Sequence, residues 1–169
     1  MRAHLPMLAT AIAVALAACA GPQPAQKPGF YQSLARSGAV IDAPAALAMI
    51  NAYRQNNGLG ALALDPALSA VAEKEARAMA AADRVSHATD RGNSLDARLA
   101  AAGYAHGAAD ENVSAGYHTF AEAFSGWRDS KPHRATMLHP TATRMGLATA
   151  YAPASKYKVF WSLIVAEPR

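Results

Sequence analysis

The sequence has 169 residues, a formal net charge of +4 and a single cysteine. This length suits one modest domain with one packed core, and a single cysteine excludes a fold held together by internal disulfides. Charged residues make up 17% of the chain and form no block of one sign, so the composition argues against a nucleic-acid partner.

The first 18 residues have the features of an export signal. A short basic start precedes a run at 5–18 that is apolar apart from one proline and one threonine. A run of this length suits a signal peptide and is short for a membrane span. It ends in LAAC at 16–19, which resembles a bacterial lipobox. We therefore expect 1–18 to be a lipoprotein signal peptide and Cys19 to carry the lipid.

Lipidation at Cys19 would anchor the protein to a membrane. The next residue, Ala20, is not a retention aspartate, so we expect an exported protein in the outer membrane of a two-membrane bacterium, facing the periplasm or the surface. Ordinary cleavage after Ala20 is the alternative, because ACA at 18–20 also has small residues at the positions that signal peptidase requires.

Residues 19–38 are predicted to be a flexible tether. Three prolines lie among small polar residues there, a composition that extends and does not pack. Phe30, Tyr31 and Leu34 are the apolar residues that could dock on the folded part. The remaining chain, 39–169, is predicted to form one domain.

Helix start and stop signals recur along this domain. Asp42 and Asp65 each precede a proline at the start of an apolar pattern with helical spacing. Thr119 and Glu122 form a capping-box pattern. Helices are predicted at 42–58, 65–83, 94–103 and 119–127, with a break at 131–132 and one further turn at 134–138.

The charged residues of the first two helices are predicted to have structural roles. Glu73, Lys74, Glu75 and Arg77 are interpreted as a solvated face of mixed charge on the second helix. Arg54, on the first helix, is expected to tie that helix to a neighbouring loop. Neither group is predicted to contact a substrate.

Two strands are predicted late in the chain, at Arg144–Tyr151 and 156–165, joined as a hairpin. In the second of them Trp161 alternates with apolar residues, which predicts a core position. A short strand or strand entry is predicted at 111–113. Helices first and adjacent strands last indicate an α+β fold, with a small sheet covered by helices.

Eight short motifs carry a family resemblance through their order and spacing. They are NAYR at 51–54, LDPAL at 64–68, SH at 86–87, AGY at 102–104, ENV at 111–113, WRDS at 127–130, PHR at 132–134 and MGLA at 145–148. Over residues 45–165 the sequence resembles the CAP superfamily (cysteine-rich secretory, antigen-5 and pathogenesis-related proteins) in its bacterial, SCP-like branch. The resemblance implies an α-β-α sandwich with a small, mainly antiparallel sheet between helices, in a secreted or surface-attached protein.

The resemblance also implies a cleft lined by two histidines and two glutamates. By motif, the histidines fall on His87 and His133 and one glutamate falls on Glu111. The second glutamate would stand three positions after Trp127, where this chain has Ser130. We take these four residues as the candidate cleft. No catalytic residue is assigned, and Glu111 is the candidate general base.

The retained residues suit a weak metal site. Two neutral imidazoles, His87 and His133, can bind zinc while leaving open positions, and the nearby Glu111 carboxylate can orient a ligand or accept a proton. We expect the two rings to converge and zinc to be the only cofactor, bound weakly. A purely structural hydrogen-bonding role for the same residues is the alternative.

Three functions remain open for this sequence. The first is a non-enzymatic, membrane-anchored module that binds a lipid or another envelope ligand, since lipid and sterol binding is attributed to relatives in the family. The second is a metal-assisted, peptidase-like hydrolase of the cell envelope. The third is an interaction scaffold with an inactive cleft. Serine in place of the second carboxylate, at Ser130, favours a binder over an enzyme.

Overall fold

A computed structural model describes residues 28–169, so the predictions for the signal peptide, for Cys19 and for the first part of the tether lie outside the described residues. The helices are α1 (Ala43–Asn56), α2 (Pro66–Ala82), α3 (Leu95–Ala101), α4 (Phe120–Asp129) and α5 (Lys131–Met137). The strands are β1 (Ala63–Leu64), β2 (His106–Ala115), β3 (Arg144–Tyr151) and β4 (Val159–Pro168).

One sheet lies between two helical layers. Its strand order is β1-β3-β4-β2, with β4 antiparallel to both neighbours and β1 parallel to β3. Along β4, Trp161 and Leu163 pack with α1, α4 and α5, whereas Ile164 packs with α2 and α3. The predicted α+β fold and α-β-α sandwich are therefore confirmed, and β2 is an edge strand.

Two tryptophans form the centre of the layer that contains α4. Trp127 and Trp161 are fully buried, and their rings meet edge to face at 89° with centroids 6.1 Å apart. Each indole N–H donates a hydrogen bond: Trp127 to the Ser114 hydroxyl at 3.1 Å and Trp161 to the Tyr117 carbonyl at 2.8 Å. A buried indole is stable when its N–H is paired in this way, so these contacts fix α4 against β2 and β4.

The predicted helix starts are present. The Asp65 carboxylate accepts hydrogen bonds from the Ala67 and Leu68 amides at the start of α2, at 2.8 and 3.1 Å. Thr119 and Glu122 form the predicted capping box of α4. These bonds satisfy amides that have no partner inside the helix.

Three boundaries differ from the sequence prediction. Residues 131–132 begin α5 instead of breaking a helix, because a proline in the first helical turn loses no intrahelical bond. β4 begins at Val159, since Lys158 has a positive φ of 63° and cannot continue an extended strand. β2 has ten residues instead of the predicted three, and it pairs along most of β4 although its first half is rich in glycine and alanine.

The described end of the predicted tether packs against the domain. Leu34 is 5% exposed, and its amide donates a hydrogen bond to the His118 carbonyl at 2.7 Å. Tyr31, in a short 3-10 turn at Gly29–Tyr31, is 55% exposed. Between residues 28 and 169, no helix combines the length and the apolar character that a membrane crossing requires.

Candidate functional site

The candidate site lies at the edge strand β2, whose successive side chains point to opposite helical layers. Glu111 faces α2 and α3, and the next residue, Asn112, faces α5. His87 follows α2 and places Nδ1 3.3 Å from Glu111 Oε2. The His87 side chain is 64% exposed and that of Glu111 only 2%, so the pair has one solvent-facing and one buried member.

Glu111 is held by a buried arginine that the sequence analysis missed. Arg98 of α3 donates from Nη1 to Glu111 Oε1 at 2.9 Å and from Nη2 to Oε2 at 2.8 Å. The Ser162 hydroxyl of β4 donates a further hydrogen bond to Oε1 at 3.2 Å. A carboxylate in a bidentate contact with a guanidinium has its charge balanced and its orientation fixed.

A second buried carboxylate contacts the same arginine. Arg98 Nε lies 3.4 Å from Oε2 of Glu75 on α2, and the Asn93 side chain donates to that oxygen at 3.2 Å. Glu75 is 1% exposed and Arg98 9%. We call Glu75, Arg98, Glu111 and His87 the charge cluster.

The prediction that Glu75 belongs to a solvated face is wrong. Glu75 occupies the same helical stripe as the buried residues of α2, which are Leu68, Val71, Ala72, Ala76 and Met79. The spacing of Glu75 could have indicated its burial from the sequence. A charged residue with the same helical spacing as the apolar residues faces the core, where it needs a partner inside the protein. Arg98 on α3 is likewise a charged residue on the buried side of its helix, together with Leu99.

The pKa values of the two buried carboxylates, Glu75 and Glu111, shift in opposite directions. Burial alone would raise the pKa of Glu111, but hydrogen bonds from His87 and Arg98 outweigh burial and lower that pKa below its ordinary value. Burial raises the pKa of Glu75, and the Arg98 charge opposes this rise without cancelling it. The hydrogen bond with Glu111 raises the pKa of His87. Glu111 is therefore a stable carboxylate with little basicity.

The other two candidate residues lie on the α5 side of β2. The His133 carbonyl accepts a hydrogen bond from the Asn112 side chain at 2.9 Å, which ties α5 to β2 beside Glu111. Burial lowers the pKa of His133, and the charge of the nearby His87 lowers it further, so the neutral ring is favoured. Ser130 joins α4 to α5, and its hydroxyl does not cap α5.

A cavity of about 450 Å³ opens at the charge cluster and is lined by His87 and Glu111 among other residues. Its remaining polar wall comes from Ser94, Asp96 and Asp110. The arrangement can bind polar groups and can accept hydrogen bonds from them.

A closed metal site does not fit these residues. Within the part of the chain that the structure describes, no three histidine, cysteine, aspartate or glutamate side chains are grouped to hold a metal ion. The donors present are the imidazoles of His87 and His133. The His87 contact with Glu111 uses Nδ1 and leaves Nε2 available to a metal ion, and metal-binding histidines commonly contact a carboxylate in this way.

We expect zinc to bind weakly, because two nitrogen donors cannot match a four-ligand structural site. Calorimetric titration of zinc should give a binding heat that disappears in the double variant His87→Ala, His133→Ala. His118→Ala is the matched control, since this histidine is exposed and lies outside the charge cluster. Equal binding by the double variant would contradict the assignment of His87 and His133.

Known proteins share this sequence pattern and this fold. The profile of the Cysteine-rich secretory protein family (CAP) matches residues 47–165. YkwD of Bacillus subtilis is 29% identical over 99 residues, which cover 59% of this chain and 38% of YkwD. The chain thus spans well under half the length of that relative.

Two solved structures show the same fold. An extracellular protein containing an SCP domain from Bacillus anthracis superposes with a TM-score of 0.64 at 24% identity, covering 72% of this chain and 39% of that protein. An outer surface protein of Borrelia burgdorferi superposes with a TM-score of 0.68 at 15% identity, covering 78% of this chain and 99% of that protein. At these identities the likeness shows the fold alone.

Proposed function

This chain belongs to the Cysteine-rich secretory protein (CAP) family, and we propose that it is a non-enzymatic module of the cell envelope that binds an envelope ligand or partner at the charge cluster. The observation that carries the proposal is the two-pronged contact between Arg98 and Glu111. Glu111 is the carboxylate that the sequence predicts as the candidate general base.

A general base needs a free lone pair and a pKa near the working pH. Both carboxylate oxygens of Glu111 already accept hydrogen bonds from Arg98. The Ser162 hydroxyl donates a further hydrogen bond to one of them, Oε1. The lowered pKa of Glu111 makes proton abstraction less favourable still. Ser130 stands where the family resemblance implies a second glutamate, so the described residues favour binding over hydrolysis.

The cavity beside Glu111 favours a polar ligand. Five of its lining residues have polar side chains, and the apolar ones, Ala88, Leu95 and Ala109, are small or only partly buried. Buried apolar area is what retains a lipid chain, and this cavity offers little. We therefore propose a polar envelope component as the ligand, in place of the lipid that the family resemblance suggested.

Replacing Glu111 with glutamine tests this proposal against the hydrolase alternative. We expect no metal-dependent peptide or ester hydrolysis by the unaltered protein, and a loss of stability of about 1–3 kcal/mol in Glu111→Gln, because Arg98 loses part of a buried charge pairing. The measurements are hydrolysis assays with and without zinc and chemical denaturation. Glu73→Gln, at an exposed position on α2, is the control.

Zinc-dependent activity that is lost in a stably folded Glu111→Gln protein would overturn the proposal in favour of a metal-assisted hydrolase. The control variant should retain both the stability and the assay results of the unaltered protein. This comparison separates a change in chemistry from a change in folding.

We also propose that the protein is exported and lipid-anchored through Cys19 in the outer membrane. The LAAC pattern at 16–19 supports this, as do relatives described as an extracellular protein and an outer surface protein. Mass spectrometry of the mature protein should find an N-terminal Cys19 that carries acyl chains. A mature chain that begins at Gly21, or an unmodified Cys19, would refute the anchor.

A further inference from the structure

A second cavity, lined in part by Arg98, lies apart from the cavity at His87. It measures about 490 Å³ and is lined by α2, α3 and the loop at 89–93. This volume falls in the range of small-molecule sites, roughly 300–1,000 Å³. Glu75 and Arg98 line it, whereas His87 and Glu111 line the other cavity. The two cavities thus have no lining residue in common, and the contact between Arg98 and Glu111 connects their walls.

Two lining residues, Glu75 and Arg98, each contain a buried polar atom without a hydrogen bond, and Arg98 Nε has only the 3.4 Å ion-pair contact with Glu75 Oε2. Glu75 Oε1 and Arg98 Nε have no hydrogen-bond partner among the described residues, although Glu75 is 1% and Arg98 9% exposed. An unpaired buried polar atom is costly, and most such atoms find a partner. One atom is an acceptor and the other a donor. A hydroxyl group can serve both, because it donates and accepts at once.

The loop at 89–93 is held over the cavity by its own contacts. The Asn93 side chain donates to Glu75 Oε2 at 3.2 Å and to the Thr89 hydroxyl at 3.3 Å. Gly92 has a φ of +86°, which a residue with a side chain rarely adopts. The backbone N–H of Asn93 donates a hydrogen bond to the Asp90 carbonyl at 3.1 Å. The roof of the cavity is therefore built by specific interactions.

The rest of the lining divides into an apolar wall and a charged rim. Ala78 on α2 and Ala97 and Ala101 on α3 form a wall of small apolar side chains. Lys74, Asp90 and Arg91 also line the cavity and are exposed, so its rim has two cations and one carboxylate. A flat ligand with one apolar face can pack on the alanines while an anionic group meets the two cations.

We propose that this cavity binds an acidic sugar unit, meaning a pyranose that carries a carboxylate. The C–H face of the ring packs on the alanine wall. One ring hydroxyl accepts from Arg98 Nε and donates to Glu75 Oε1, after the Glu75 carboxylate rotates about its soft terminal torsion and exposes these two buried atoms to the cavity. The carboxylate pairs with Lys74 and Arg91. This cavity has no lining residue in common with the cavity at His87 and Glu111, so binding here does not require the function proposed there, although Glu75 and Arg98 belong to the charge cluster.

Nuclear magnetic resonance titration of the full chain with D-glucuronate tests the proposal. We expect the Arg98 Nε–H and Asn93 side-chain amide resonances to shift at millimolar glucuronate. D-glucose, which has the ring without the carboxylate, should bind several-fold more weakly. Acetate, which has the carboxylate without the ring, should leave both resonances unchanged. A free sugar acid and an acidic glycan share this chemistry, and tighter binding of a glucuronate oligomer than of the monomer would identify the glycan.

Two variants of α3 provide the decisive comparison. Ala101→Leu fills the cavity and should abolish the glucuronate shifts, whereas Ala100→Leu, at an exposed position of the same helix outside the lining, should preserve them. Lys74→Ala should reduce glucuronate affinity to the level of glucose. The proposal fails if glucuronate causes no shift, if the shifts persist in Ala101→Leu, or if glucose binds as tightly as glucuronate.

Discussion

Replacing Arg98 with methionine should destabilise the domain by about 3–5 kcal/mol. Methionine keeps much of the side-chain volume and removes the guanidinium that contacts both Glu75 and Glu111. Two buried carboxylates would then face each other without a cation between them. Removal of one member of a buried ion pair is among the most costly substitutions, because the remaining charge cannot be solvated. Urea denaturation of the purified domain measures the loss.

A surface arginine supplies the matched control for this experiment. Arg77 pairs with Glu73 one turn away on α2, and both side chains are at least half exposed. Arg77→Met should change stability by less than about 1 kcal/mol, since exposed ion pairs are solvated when broken. Similar losses for Arg98→Met and Arg77→Met would contradict the view that the charge cluster is buried and mutually dependent.

The second large loss of stability is expected at Arg54, which has no acidic partner among residues 28–169. Its guanidinium is fully buried and donates to four backbone carbonyls, those of Gly60, Met137, His139 and Ala142, at 2.8 to 3.2 Å. Arg54→Met would leave these buried or part-buried carbonyls without donors. At about 1–3 kcal/mol for each unsatisfied group, we expect a loss of at least about 3 kcal/mol.

Arg54→Lys distinguishes lost hydrogen bonds from lost packing. An ammonium group has three donors on a single nitrogen and cannot reach four carbonyls that surround a planar fork, so lysine should recover only part of the stability. Urea midpoints of the unaltered protein, Arg54→Lys and Arg54→Met should fall in that order. A methionine variant as stable as the lysine variant would show that the hydrogen bonds contribute little.

Arg54 also matters for the candidate site, because three of the four carbonyls that it contacts lie at the end of α5 or just after it. His133 lies in α5, one turn before Met137, whose carbonyl accepts from Arg54 Nη1 at 2.9 Å. Loss of this bond should loosen the segment after α5 and with it the position of His133. Amide exchange at 137–142 should therefore be faster in Arg54→Met than global unfolding accounts for.

The prediction that Arg54 ties α1 to a neighbouring loop is confirmed by its contacts with the carbonyls of Gly60 and His139.

Local signals in the sequence were sufficient for the helices and for the long strands of the hairpin. Asp65 followed by proline, and Thr119 with Glu122, satisfy helix-end amides through residues three or fewer positions away, so their effect can be read without knowing the fold. β1 has two residues, too few to show any periodicity, and exists because it pairs with β3. The full length of β2 likewise depends on its partner β4.

The sequence by itself determined the family and the α-β-α sandwich, and it predicted His87, Glu111, Ser130 and His133 as the cleft residues. Only the tertiary structure decided what Glu111 can do. Its chemistry depends on Arg98, 13 positions away, and on Ser162, 51 positions away on another strand. A charged residue in an apolar stripe shows that a buried partner is required, but many distant residues could supply it. The partner is selected by how helices and strands pack, which no local pattern encodes.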